Sequence, residues 1–402
     1  MSSADQPARR QRSLQDRYHR LTIVGEEPGL VVPLAARIVA AIFGGLLVVT
    51  AANSVIGTII VPRPVASWLT SWVDKLVTGA YMLVTAPIKN YNRRDRVLAT
   101  QAATILLVQL IAWLLIFFIG YTLLLWPFLS AGITKAFTTA GPALWEIGSE
   151  DVSGAGVRTI LDMASLSGLI TITLQIAYLP TLYSAFNRRE TEVSLLNSRA
   201  GVPSWGPELL ARTHYGLGSG ISTADTLPGL YETWERFAAD IAESHTTYLP
   251  LVRFRSPRRY SSWVIALLSV LDSAALYLAL APKAAPTVAA RLCLRSGFQC
   301  FTEIARAMKL KVPEAPDPAA GISLRYQDFL DGLANMQKVN FPVEREPEEA
   351  WPEFVGWRAN YEAAAYALAE AIDAVPALWS GPRRRPEKQI PPIRPAAGKP
   401  PK

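Results

Sequence analysis

Residues 97–128 read VLATQAATILLVQLIAWLLIFFIGYTLLLWPF, without one charged side chain from end to end. A helix crosses the roughly 30 Å hydrocarbon core of a bilayer in about 20 residues, so this stretch spans with turns to spare. Two other stretches share its character. Residues 31–61 are interrupted only by Arg37 and Asn53; residues 159–186 carry Asp162 near their start and Pro180, which predicts a kink. Asn187-Arg188-Arg189 follows at once and marks a cytosolic end for the third span.

Outward from these spans the composition changes. Half of the 402 residues are hydrophobic and the net charge is +7. The apolar residues crowd into 30–186, whereas 187–402 has an ordinary soluble mixture. The arginines sit beside apolar runs and at both ends, which favours an anionic membrane surface over nucleic acid. No nucleic-acid motif occurs. Cys293 and Cys300, seven apart, lie about 10 Å apart on one helix face, too far for a disulfide, and read as buried apolar residues in a reducing compartment. His19, His214 and His245 lack ligand spacing, so no metal site is expected. The first thirty residues are polar and arginine-bearing, and they form no cleavable signal.

Residues 65–88 behave differently from the spans. Val65, Leu69, Trp72, Val73, Leu76, Ala80, Leu83 and Ile88 recur with helical period, opposite Ser67, Ser71, Asp74, Lys75 and Thr78. A central Asp74-Lys75 is costly inside hydrocarbon, and the pattern predicts a helix along the membrane surface, with a fourth crossing or a re-entrant segment as the alternatives. Arg93, Arg94 and Arg96 before the second span and Arg188-Arg189 after the third place both sites in the cytosol, and 129–158 outside. A surface helix then puts the polar tail 1–30 outside, against its own arginines; a fourth crossing removes that conflict.

The connector 129–158 begins helix-compatible and then reads Leu144-Trp-Glu-Ile-Gly-Ser-Glu-Asp151. Span, short half-helix, extended segment and span make a pore-loop unit, in which carbonyls or acidic rings replace an ion's water shell. The stretch resembles the Thr-x-Gly-Tyr-Gly-Asp filter of potassium channels, with Glu146 at the Thr, Ile147 at the variable position, Gly148 at the first Gly, Ser149 at the Tyr, Glu150 at the second Gly and Asp151 at the Asp. Ala177-Tyr-Leu-Pro-Thr-Leu-Tyr-Ser-Ala-Phe-Asn-Arg-Arg-Glu190 resembles the inner-helix end of bacterial proteins grouped with two-pore-domain-type potassium channels. Leu195-Leu-Asn-Ser-Arg-Ala-Gly201, Glu243-Ser-His-Thr-Thr-Tyr-Leu-Pro-Leu251 and Leu271-Asp-Ser-Ala-Ala-Leu276 are similar to the same group. The resemblance covers about two thirds of the chain and implies a homotetramer in the bacterial inner (plasma) membrane, with its second half cytosolic.

The departures from that filter are chemical. A potassium filter needs two glycines, whereas Glu150 replaces the second and Glu146 replaces the liganding Thr. Rings of Glu146, Glu150 and Asp151 suit monovalent or divalent cations without strong selectivity; the alternative is a closed loop of solvated carboxylates. Ser165, Gly168, Thr171 and Gln175 on the third span are candidates to line a pore, or equally to pack closely against neighbouring helices.

The second half, 190–380, reads as all-α. Helical periods fall at 221–248, 263–281, 286–310, 322–337 and 346–375. Residues 263–281 are apolar enough to span, but Asp272 sits within them and no charge sidedness flanks them, which predicts a buried core helix. No nucleophile elbow, HExxH or phosphate loop occurs, so neither an enzyme nor a cofactor is expected, and His245 reads as a core or capping residue. The basic, Pro-rich tail 381–402 predicts disorder, touching anionic headgroups or only solubilising the chain. The expected fold is thus an all-α transmembrane pore-loop unit, 31–189, followed by a cytosolic helical domain.

Overall fold

A computed structural model describes residues 33–61, 68–130, 132–145, 154–216, 223–313, 321–385 and 387–393. Among them the chain is helical, with no strand. In order run α1 (Leu34–Ile59), α2 (Trp68–Thr85), α3 (Tyr91–Leu98), α4 (Gln101–Leu125), a 3-10 turn (Trp126–Phe128), α5 (Gly132–Trp145) and α6 (Ala155–Ala200). Then follow α7 (Gly206–Gly216), α8 (Thr223–Thr247), α9 (Pro250–Arg253), α10 (Trp263–Leu280), α11 (Thr287–Ala307), α12 (Tyr326–Gln337), α13 (Pro347–Arg358) and α14 (Glu362–Ala371). Among the described residues four stretches are long and apolar enough to cross a membrane: α1, α3–α4 with the 3-10 turn, α6 and α10. The first three match the expected spans. Helix α6 continues past 186 because Val193, Leu196 and Ala200 keep a buried stripe, and Gly201 at φ +80° ends it.

Two compact units divide the chain, one comprising residues 1–51 and 115–169, the other 52–114 and 170–402. In the first, α1 meets α4 through glycines. A Cβ on Gly44 would lie 2.5 Å from the Gly120 carbonyl oxygen, and one on Gly120 would lie 2.8 Å from Val48 Cγ2. Small residues let two backbones approach where apolar burial alone gives no preference over lipid. Helix α5 buries Ala136, Ala140, Ala143 and Leu144, and Phe137 meets the edge of Phe118 at 4.7 Å between centroids.

The second unit is built around α10. All eighteen of its residues are buried, enclosed by α7, α8, α11, α13 and α14. The central Asp272 is not a lipid-exposed charge. It pairs with the Arg358 guanidinium and accepts from the Tyr361 hydroxyl at 2.9 Å. Arg358 also donates to Glu362 Oε1 (2.9 Å), the Tyr366 hydroxyl (2.8 Å) and the Trp379 carbonyl (2.7 Å), so the charge of Asp272 is compensated within the core. Cys293 and Cys300 lie buried in α11, and burial pushes both thiols up. The stretch 346–375 is two helices, broken at 359–361 without a glycine or proline.

Three features go beyond the expectations. Helix α2 packs along α4. Val73 and Val77 pack with Ile105, Val108 and Ala112 of α4, while Tyr81 shares hydrogen bonds of 2.8 Å with Thr100 and Thr104. Low numbers of α2 thus meet high numbers of α4, and the two run antiparallel. The apolar face that periodicity assigns as one is divided between α4 and an exposed stripe of Trp68, Trp72, Leu76 and Leu83. Second, the described part of the tail, 381–385 and 387–393, makes specific contacts. Arg383 donates to the carbonyls of Ala374, Val375 and Ser380 at 2.8 Å each, and Ile393 N to Val202 O at 2.9 Å. Third, α7 begins within a segment that carries no expected helix; Leu209, Leu210 and Ala211 bury it.

Candidate functional site

The connector after α4 supplies the first part of the site. Helix α5 is a short helix of 14 residues. Its last turn meets α6 ten to thirteen residues past the start of that helix, which is about 15–20 Å along its axis. Ser165 Oγ donates to the Ala143 carbonyl at 2.8 Å. A Cβ at Gly168 would overlap the Leu144 carbonyl oxygen, so glycine is what admits the end of α5 here. The Tyr121 hydroxyl bonds Ser167 Oγ at 2.7 Å and holds α4 to the same stretch of α6. The carbonyl end of a helix carries partial negative charge and leaves four acceptors without intrahelical partners. Ser165 satisfies one of them.

The filter-like residues Glu146, Ile147, Gly148, Ser149, Glu150 and Asp151 lie outside the described residues. Of the lining candidates, Ser165 and Gly168 are engaged with α5, and Thr171 and Gln175 are buried within the chain's own packing at 2% and 6% exposure. Ser165 and Gly168 thus serve a helix contact. The outward face of α6 is instead Met163, Leu166, Leu169, Ile170 and Ile176.

No family model, curated protein or solved structure matches the chain. What it does therefore has to be argued from its own geometry.

A second cluster of buried polar contacts lies in the second unit, where α3 and α6 meet the helices around α10. Arg94, 1% exposed, pairs with Asp373 and Glu387. Arg255 bonds Asp95 and donates to the Ile372 and Asp373 carbonyls, and Arg253 holds Asp74 of α2 through bonds of 2.8 and 2.9 Å. On α6, Arg189 is fully buried; it donates to the Leu251 carbonyl (2.8 Å), the Phe254 carbonyl (2.7 Å) and Nε2 of His245 (3.0 Å). An arginine only donates, so Nε2 accepts and the imidazole is neutral. Burial, then the Arg189 charge, hold His245 well below its ordinary pKa. Periodicity missed these roles because Arg93, Arg94, Arg96, Arg188 and Arg189 all read as surface charges. The one available signal was phase: Leu182, Ala185 and Arg189 share a helix face, and the first two are apolar.

Proposed function

We propose that the chain is a channel-like integral membrane protein of the plasma membrane. In this reading α5 and residues 146–151 form a re-entrant loop, four copies surround one pore, and cations pass with weak selectivity. The observation that carries it is the seating of the α5 carbonyl end well along α6, at Ser165 and Gly168, and not at the start of that helix. A carbonyl end at that depth, followed in sequence by Glu146, Glu150 and Asp151, makes an environment that favours cations. The helical second half is cytosolic in this reading, as the arginines of α3 and α6 require, and Arg94, Arg189, Arg253 and Arg255 couple it to the membrane helices. The resemblance of 144–151 to a potassium-channel filter motivates this reading but not potassium selectivity, because the second filter glycine is Glu150.

Purified protein in planar bilayers tests this. Single-channel currents are expected, reduced several-fold in cation preference by Glu146→Gln with Glu150→Gln, and crosslinking should end at four copies. The absence of current at all voltages, with monomers or dimers only, would overturn it.

A second reading has its own observation. Thr171 and Gln175 are buried in the chain's own packing, and the outward face of α6 is apolar. That face suits a non-conducting scaffold or sensor that keeps a channel-like fold, and the same recording separates the two.

A further inference from the structure

The side of α1 turned away from α4 carries a regular seam. Val39, Ile42, Leu46, Val49, Asn53 and Ile56 follow one another in alternating steps of three and four, and all six are exposed. This is the 3.5-residue repeat with which two helices pack knobs into holes. Apolar side chains alone would be satisfied by lipid. Asn53 would not. It is the single polar residue of the six, and no described residue gives its side chain a hydrogen bond. Its neighbours are provided for: Ser54 accepts from Trp113 Nε1 at 2.9 Å, and the Thr50 hydroxyl donates to the Leu46 carbonyl at 2.7 Å. Helix α1 has 26 residues, and Asn53 lies about 10 Å from its midpoint, inside a hydrocarbon core about 30 Å thick. An amide left there without partners is costly. One turn on, a Cβ at Gly57 would meet nothing within 4 Å, which leaves room for a second backbone.

We infer that the seam is a homotypic packing face, on which α1 of one copy lies against α1 of a second copy with the Asn53 amides paired across a two-fold axis. An amide is both donor and acceptor, so it complements itself, and two copies inserted alike present parallel helices with Asn53 at one depth. A lone asparagine in a heptad sets register as well as association. The inference rests on the membrane part of the reading above, with α1 as a span, and not on the pore; a four-fold ring has no two-fold axis at α1, so beside such a pore the pair joins copies of neighbouring rings.

The test uses the full chain in liposomes with Val49→Cys or Ile56→Cys and copper–phenanthroline oxidation; the native Cys293 and Cys300 are buried and give little background. Both variants should yield a disulfide-linked dimer. Adding Asn53→Leu should lower the dimer fraction about threefold to tenfold, and Asn53→Gln should restore it. No dimer above the level of the unsubstituted chain, or a dimer indifferent to Asn53→Leu, would overturn the inference and leave the seam to lipid. Crosslinking at α1 in a protein that carries no current keeps this inference while removing the pore; current without crosslinking does the reverse.

Discussion

Arg189 and His245 show how a single contact ties charge to folding. The buried imidazole accepts from Arg189, so a proton on Nε2 would remove the bond and set two cations side by side. The unfolded chain takes up that proton near pH 6.5, whereas the folded chain does so only well below it. Above about 6.5 neither state is protonated and the folded state bears no penalty. Below it the unfolded state binds the extra proton, and stability falls by up to about 1.4 kcal/mol per pH unit. Denaturation curves between pH 5 and 8 should show this slope, and His245→Gln, which keeps an acceptor for Arg189, should flatten it. In the sequence, His245 is legible as a core residue through its place in a helical period. Its partner is not, because 56 residues separate the two and only the folded chain brings them together.

Among the elements, α10 separates what composition can tell from what packing decides. Its hydropathy matches that of a span, and Asp272 with unsided flanks is what points to a core instead. The structure supplies the reason: Arg358 of α13 neutralises Asp272 from a distance of 86 residues. Removing one member of a buried pair strands the other charge, so Arg358→Met should cost about 3–5 kcal/mol, read as a shifted chemical-denaturation midpoint. Helices α1, α4 and α6 were legible because long apolar runs leave no other choice. The division of α2 was not. Its period gives one apolar face and cannot say which part of that face α4 takes. The split between α13 and α14 was also hidden, since Ala359-Asn360-Tyr361 contains no breaker.

At the scale of the whole molecule, the segment after Gly381 matters more than its composition implies. Prolines and arginines there read as a free tail, yet Glu387 pairs with Arg94, and Arg385 donates to the Thr85 carbonyl at 2.6 Å. Isolated bridges join Ile390 to Ala377 and Ile393 to Val202. The arginines that suggest a membrane-seeking tail are in part spent on carbonyls, as the contacts of Arg383 show. A chain ending at Ser380 should therefore lose about 1–3 kcal/mol of stability and become cleavable near 88–98 in limited proteolysis, where the full chain resists. An unchanged cleavage pattern would show that these contacts bear no load.

The enclosure of α10 also has a consequence for how the protein is made. Machinery that weighs apolarity as a nascent chain passes meets α10 as a candidate fourth insertion, after α1, α4 and α6. In the proposed topology, insertion would carry everything from 281 onward out of the cytosol. Of the helices that hide α10, α7 and α8 are synthesised before it, but α11, α13 and α14 come after. In that proposed topology the orientation of nearly a third of the chain depends on a race between translocation and the arrival of Arg358.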